Sequence, residues 1–221
     1  MNFFDPTWLE LGMASDIIEP PHLDILLLNY LQGAEIFQSA RMLVYAVEDF
    51  TVLSNRDEIE RYQSMVERLR TLLAECPALE SFAVAGGDGA LLEEWPLALV
   101  PLFPAAQIFA VQPEYVEFEG GAGVRHLTCF AQDMAPLNAG DVCYTFQGRS
   151  EDGQTYVSII LLILAELPAG AEIDPQTFYP EGYFDDLENV VETLGALEAE
   201  AAQPDLAVLD ALVASLELTL P

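Results

Sequence analysis

The chain has 221 residues, 52% of them hydrophobic and 10% aromatic, which is ample material for a packed core and too apolar for an intrinsically disordered chain. Against 37 Asp and Glu stand 7 basic residues, every one an Arg, for a formal net charge of -30. So few cations exclude a grip on nucleic-acid phosphates or on an anionic membrane surface, and they favour solubility and attraction to basic partners.

The length predicts a single domain over residues 1–221. The N-terminus, MNFFDPTWLE, carries no basic stretch ahead of an apolar run, so the sequence as given predicts no signal peptide. His22–Leu31 (HLDILLLNYL) reads as a strand entering a turn at Gln32–Gly33, and Arg41–Val47 as a second strand. Ser54 has the place of an N-cap, and Ile59, Tyr62, Val66, Leu69 and Leu73 recur at helical spacing, so Asp57–Glu75 is expected as an amphipathic helix ended by Cys76–Pro77. Its Arg residues lie near Asp57, Glu60 and Glu67, which predicts a solvated outer face. Ala83–Glu94 holds AGGDG and reads as a plain loop, because it has neither the Lys-Ser/Thr of a P-loop nor the spacing of a dinucleotide fingerprint. The Pro-studded stretch Trp95–Pro104 reads as an extended connection packed on the core.

The second half reads as an antiparallel meander. Gln107–Val111 and Tyr115–Glu119 are extended, and Gly120, Gly121 and Gly123 are read together as a turn. Val124–Ala131 and Asp141–Gln147 are strands separated by a loop at Asp133–Gly140, and Ser150–Gly153 is a hairpin turn of the Asp-Gly kind. Gln154–Leu164 is the strongest strand signal. It is apolar on both faces from Ile159 onward, which requires cover on both sides. Two helices follow, Tyr183–Glu198 and one with Pro204 at its first position and Leu206, Leu209, Leu212, Val213 and Leu216 inward. The fold class is therefore α+β, a largely antiparallel sheet of about five to seven strands flanked by helices. No run is long and apolar enough to predict a spanning helix.

Few residues invite chemistry. The three Cys (Cys76, Cys129, Cys143) form no framework and no C-x-x-C, and no G-x-S-x-G elbow is present. His126 and Cys129 lie three apart on one strand and so point to opposite faces, which rules out a nucleophile–base contact within it. Cys129 and Cys143 lie on neighbouring strands, where a symmetric loop would bring them opposite each other in reach of a disulfide. Acid pairs such as Glu93–Glu94 and Asp185–Asp186 are expected by abundance alone among 37 acids. Asp185 and Asp186 suit a helix N-terminus, and the candidate cluster for weak calcium binding is Asp174, Glu181, Asp185 and Asp186. Arg125 and Arg149 are the only Arg residues of the meander. Together with Gln147 they are the candidate ligand-binding residues, two guanidiniums on neighbouring strands suiting a carboxylate; internal salt bridges are the competing reading.

The runs PLALVPLFPAAQIFAVQPEYVEFEGGAGVRHLTCFAQ, YTFQGRSEDGQTYVSIILLI, DLENVVETL and PDLAVLDALVASLEL resemble an uncharacterised family of bacterial envelope proteins, many with lipoprotein signals upstream. The similarity is strong from Pro96 to Gln154 and near the C-terminus, and weaker from Leu23 to Phe50. It implies an extracytoplasmic, membrane-tethered domain and carries over no catalytic residue. The chain departs from the family's pattern in lacking the signal, in having Cys129 and Cys143, and in having no Lys. The expected sheet with flanking helices is also PsbP/Mog1-like, an analogy of fold only. Together these features lead to the expectation of a non-enzymatic, acidic binding domain without cofactor, for a protein or small-molecule ligand. The alternatives are an acidic inhibitor or nucleic-acid mimic that occupies a basic partner, and a hydrolase with an unfamiliar carboxylate site.

Overall fold

The computed structural model describes residues 19–28, 30–31, 40–53, 56–83, 100–101, 105–131, 136–168 and 182–218. Over these the chain forms one antiparallel sheet with helices on both faces. The strands are β1 (Leu23–Leu26), β2 (Ala40–Ala46), β3 (Phe82–Ala83), β4 (Ala106–Phe118), β5 (Gly121–Ala131), β6 (Val142–Ser150) and β7 (Thr155–Ile163). The helices are α1 (Arg56–Glu75), α2 (Tyr183–Gly195) and α3 (Leu206–Ala214). Seven strands run in the order β1-β2-β7-β6-β5-β4-β3. The meander β4 to β7 is the middle of the sheet, and β2 returns to pair with β7.

Alternation along β7 explains why both faces had to be covered. Val157, Ile159, Leu161 and Ile163 face one cluster, into which α2 sends Leu187, Val190 and Leu194 and α3 sends Leu206, Leu209 and Val213. Tyr156 faces the other, with Leu43, Tyr45 and Val124, beneath Tyr62, Val66, Leu69 and Leu72 of α1. The α1 contacts repeat every three to four residues, which places one stripe on the sheet and leaves Arg56, Arg61, Arg68 and Arg70 in water. The outer face carries the ion pairs Arg56–Glu60 and Arg70–Glu67.

Several elements differ from the sequence-based expectation. Strand β1 stops at Leu26, because the partner strand begins at Ala40 and the ladder ends with the Leu27 N–H on the Ala40 carbonyl. The expected turn at Gln32–Gly33, the Ser54 cap and residues 84–94 of the loop lie outside the described residues. Only Gly120 of the three glycines serves the β4–β5 turn, with φ +78°. Gly121 and Gly123 are strand residues, and Gly123 faces Gly148 across the ladder. A Cβ on either Gly123 or Gly148 would strike the Phe146 ring, so the missing side chains make room for Phe146 against Phe118, ring centroids 6.1 Å apart. The two extended segments expected in β4 are one strand with a bulge at Gln112–Pro113, where Gln112 takes φ +50°. Helix α3 starts at Leu206 and not at Pro204. Asp205 is its N-cap and accepts from the Ala207 N–H at 2.8 Å.

Candidate functional site

Strand β2 runs out at Ala46 into a 3-10 turn, Val47–Thr51, which turns under the N-terminal half of α1. Phe50 drops from that turn into the core, stacked on Tyr62 at 5.3 Å. The β6–β7 hairpin closes the third side, tied to the turn by the Val47 N–H on the Gln154 carbonyl at 2.8 Å. These parts enclose a cleft of about 500 Å³, within the size range of ligand pockets. Phe50, Val66 and Val47 give it apolar walls, Glu48 and Glu67 carboxylates, and Gln63 and Gln154 side-chain amides. No cation is among the described residues that line it.

The hairpin rim is well defined. Asp152 accepts from the Ser150 hydroxyl at 2.6 Å and from the Gln154 N–H at 2.9 Å, and these bonds hold its carboxyl below the usual range. Gly153 has φ +74°, a backbone conformation that favours glycine, and the Arg149 guanidinium lies where a Cβ would stand. Arg149 is half-buried behind this rim and forms no ion pair among the described residues, and its Nε is buried without a partner. Its charge acts on Glu67, whose carboxyl is held low first by the hydrogen bond from Arg70 and less by Arg70 and Arg149 as charges.

The other residues singled out from the sequence do not converge here. Arg125 pairs with Phe146 and faces α3, whereas Arg149 pairs with Tyr156 and faces α1. The two guanidiniums therefore lie on opposite faces of the sheet and do not meet on one carboxylate. Arg125 is buried, at 2.8 Å from Glu114 and 3.3 Å from Asp210, and donates to the Gln112 carbonyl at 2.9 Å. Asp210 also accepts from the Tyr144 hydroxyl at 2.8 Å, so Arg125 fastens α3 to the sheet.

Gln147 is fully buried and is a clasp for residues 100–101. Its Oε1 accepts from the Val100 N–H at 3.0 Å and the Tyr156 hydroxyl at 2.7 Å, and its Nε2 donates to Ser158 at 2.9 Å. The Ser158 hydroxyl in turn donates to the Val100 carbonyl. Gln147 and Ser158 belong to a polar patch on the α1 face that also includes Thr145, His126, Thr128 and Gln107, each buried. Gln107 donates from Nε2 to Thr128 Oγ1 at 3.0 Å and lies 3.4 Å from His126 Nε2. An amide nitrogen only donates, so His126 Nε2 accepts and the proton of the neutral ring is on Nδ1. That atom and Thr145 Oγ1 have no partner among the described residues. Burial, reinforced by neighbouring Arg125, lowers the His126 pKa to about 3, so the ring is neutral.

Of the proposed calcium cluster, Asp174 and Glu181 lie outside the described residues, and Asp185 and Asp186 occupy the first turn of α2. Among the described residues no group of three or more His, Cys, Asp or Glu is placed to hold a metal ion. The disulfide alternative is corrected by register. Cys143 faces Thr128 on the α1 side and Cys129 faces Phe109 on the α2–α3 side, and both are free thiols. Burial pushes both up to about 12. None of the described helices is long and apolar enough to cross a membrane.

The cleft is what sequence reasoning missed. Its parts come from residues 46–51, 63–67 and 153–154, none of which carries a motif. Comparison with family models, curated proteins and solved structures returns no match for this chain. The envelope-family likeness therefore rests on the sequence phrases quoted above.

Proposed function

We propose that this chain is a binding domain that acts by recognition, attracting basic partners to an acidic surface, and not by covalent chemistry. The observation that carries this reading is the charge of -30 around a well-filled core. Four of the seven Arg (Arg41, Arg56, Arg70 and Arg125) are already held in ion pairs, so the acidic excess is left to water and to partners. Such a field concentrates cations and speeds their encounter. The carboxylates with displaced pKa among the described residues, Glu67 and Asp152, are both lowered, whereas a catalytic general acid needs its pKa raised.

Fluorescence anisotropy with three labelled peptides of equal apolar content, one basic, one neutral and one acidic, tests the reading. The basic peptide alone should bind, and its Kd should weaken at least about tenfold between roughly 50 mM and roughly 300 mM salt. Equal binding of the neutral peptide contradicts the reading. So does turnover of an ester, peptide or glycoside substrate that a point substitution abolishes. On the family resemblance alone we also infer an extracytoplasmic setting. Recovery of the native protein in the cytosolic fraction of its own cells would remove that part.

A further inference from the structure

We propose that the cleft between the 3-10 turn Val47–Thr51, α1 and the β6–β7 hairpin docks a basic peptide segment of a partner protein, one in which arginine alternates with apolar side chains. This rests on the reading of the domain as an acid-directed binding module and gives that reading a site. Three features of the cleft select this occupant. Of its two carboxylates Glu67 is engaged by Arg70, whereas no cation is among the described residues that line the cleft beside Glu48, so a guanidinium is the complementary charge there. Glu48 is exposed and makes no ion pair among the described residues, whereas Glu67 is shared with Arg70. Glu48 is therefore the first contact for an incoming arginine.

Beside the carboxylates, half-buried Ala46 and Val47 offer apolar surface to the neighbouring side chains of such a segment. The third feature favours a peptide over a free amine. The side-chain amides of Gln63 and Gln154 line the cleft, and an amide both donates and accepts, which matches the alternating groups of a peptide backbone. Gly153 lines the cleft with backbone alone, the Arg149 guanidinium filling the space where its side chain would stand. Arg149 sits behind that glycine and is not among the residues that line the cleft.

The test is a backbone-amide NMR titration with the acetylated, amidated pentapeptide Leu-Arg-Leu-Arg-Leu, in parallel with arginine amide. Shifts should concentrate at Glu48, Gln63, Glu67, Gly153 and Gln154. The Glu48→Gln, Glu67→Gln double variant should weaken binding by about tenfold. Asp185→Asn with Glu188→Gln removes the same charge from the outer side of α2 and should change Kd by less than about twofold. If the two double variants weaken binding equally and shifts spread over the whole surface, the cleft is overturned while acid-directed recognition stands. If arginine amide binds as tightly as the pentapeptide, the peptide occupant is overturned. If the pentapeptide does not bind at all, both the site and the module reading fail.

Discussion

Gln147 illustrates how much one buried amide decides. Four of its polar neighbours' groups are satisfied through it or through Ser158 beside it, and two of them, the Val100 N–H and C=O, belong to a segment 47 residues away in the chain. Gln147→Leu keeps the volume and removes every bond, leaving the Val100 N–H and the Tyr156 hydroxyl buried without that acceptor. At about 1–3 kcal/mol for each stranded group, the expected loss is about 3 kcal/mol or more by chemical denaturation. A loss under about 0.5 kcal/mol would show that Gln147 does not hold residues 100–101 to the sheet. His126 gives a second prediction. Its folded pKa is near 3 and its unfolded value near 6.5, so the unfolded chain binds the extra proton between those limits. Stability from this group is complete above about pH 6.5 and is lost as pH falls toward 3, by at most about 1.4 kcal/mol per pH unit. The 37 acids pull the other way, since protonation relieves their repulsion, but they do so equally in a His126→Asn variant. The wild type minus variant difference in unfolding free energy should therefore fall from pH 6.5 to pH 4, and a flat difference contradicts a buried neutral ring. Little of this was legible from sequence. Gln147 and Arg149 drew attention as polar residues at a strand end, and the opposite orientation of His126 and Cys129 followed from strand geometry. The partners of Gln147 depend on long-range packing that no local pattern encodes.

Elements were read more surely than residues. The helical stripe of α1 and the two-sided apolar strand β7 declare themselves because their periods, 3.6 and 2, persist over several turns or pairs. From β7 alone it followed that both faces must be covered, and helices cover them. The glycines of β5 misled because a run of Gly reads as a turn, whereas two of them clear space for aromatic rings. The bulge in β4 was visible only as a gap between two extended segments around Pro113. Its role emerges from the fold, since Gln112 reaches from the bulge to the end of α2 and donates to the carbonyls of Leu194 and Leu197, each at 2.8 Å. Leu194 is in the last turn of α2 and Leu197 just beyond it, where carbonyls have no full set of helical partners, so Gln112 caps the helix end from a strand, alongside the Leu197 N–H that also reaches the Leu194 carbonyl. Gln112→Ala should cost about 1–2 kcal/mol. Hydrogen exchange should quicken in the last turn of α2 and leave α1 unchanged. Uniform quickening across both helices would mean that the bulge supports the whole sheet and not this one cap.

At the scale of the whole molecule the acids dominate, and here composition told most. A net charge of -30 is a property of the surface field, and it bears on solubility and association more than on fold. The α+β class and the antiparallel sheet were legible because sequential hairpins leave little freedom in topology. The cleft was not, because three segments far apart in sequence build it and each contributes ordinary residues. What composition and fold share is a prediction about rate. A long-range field acts on the approach of a partner, whereas contacts within the cleft act on its departure. The most direct measurement is stopped-flow association of the domain with a labelled Leu-Arg-Leu-Arg-Leu peptide across ionic strength. The association rate constant should fall by about tenfold or more between roughly 20 mM and roughly 300 mM salt, with the dissociation rate changing by less than about threefold. An association rate that does not respond to salt would contradict recognition by charge.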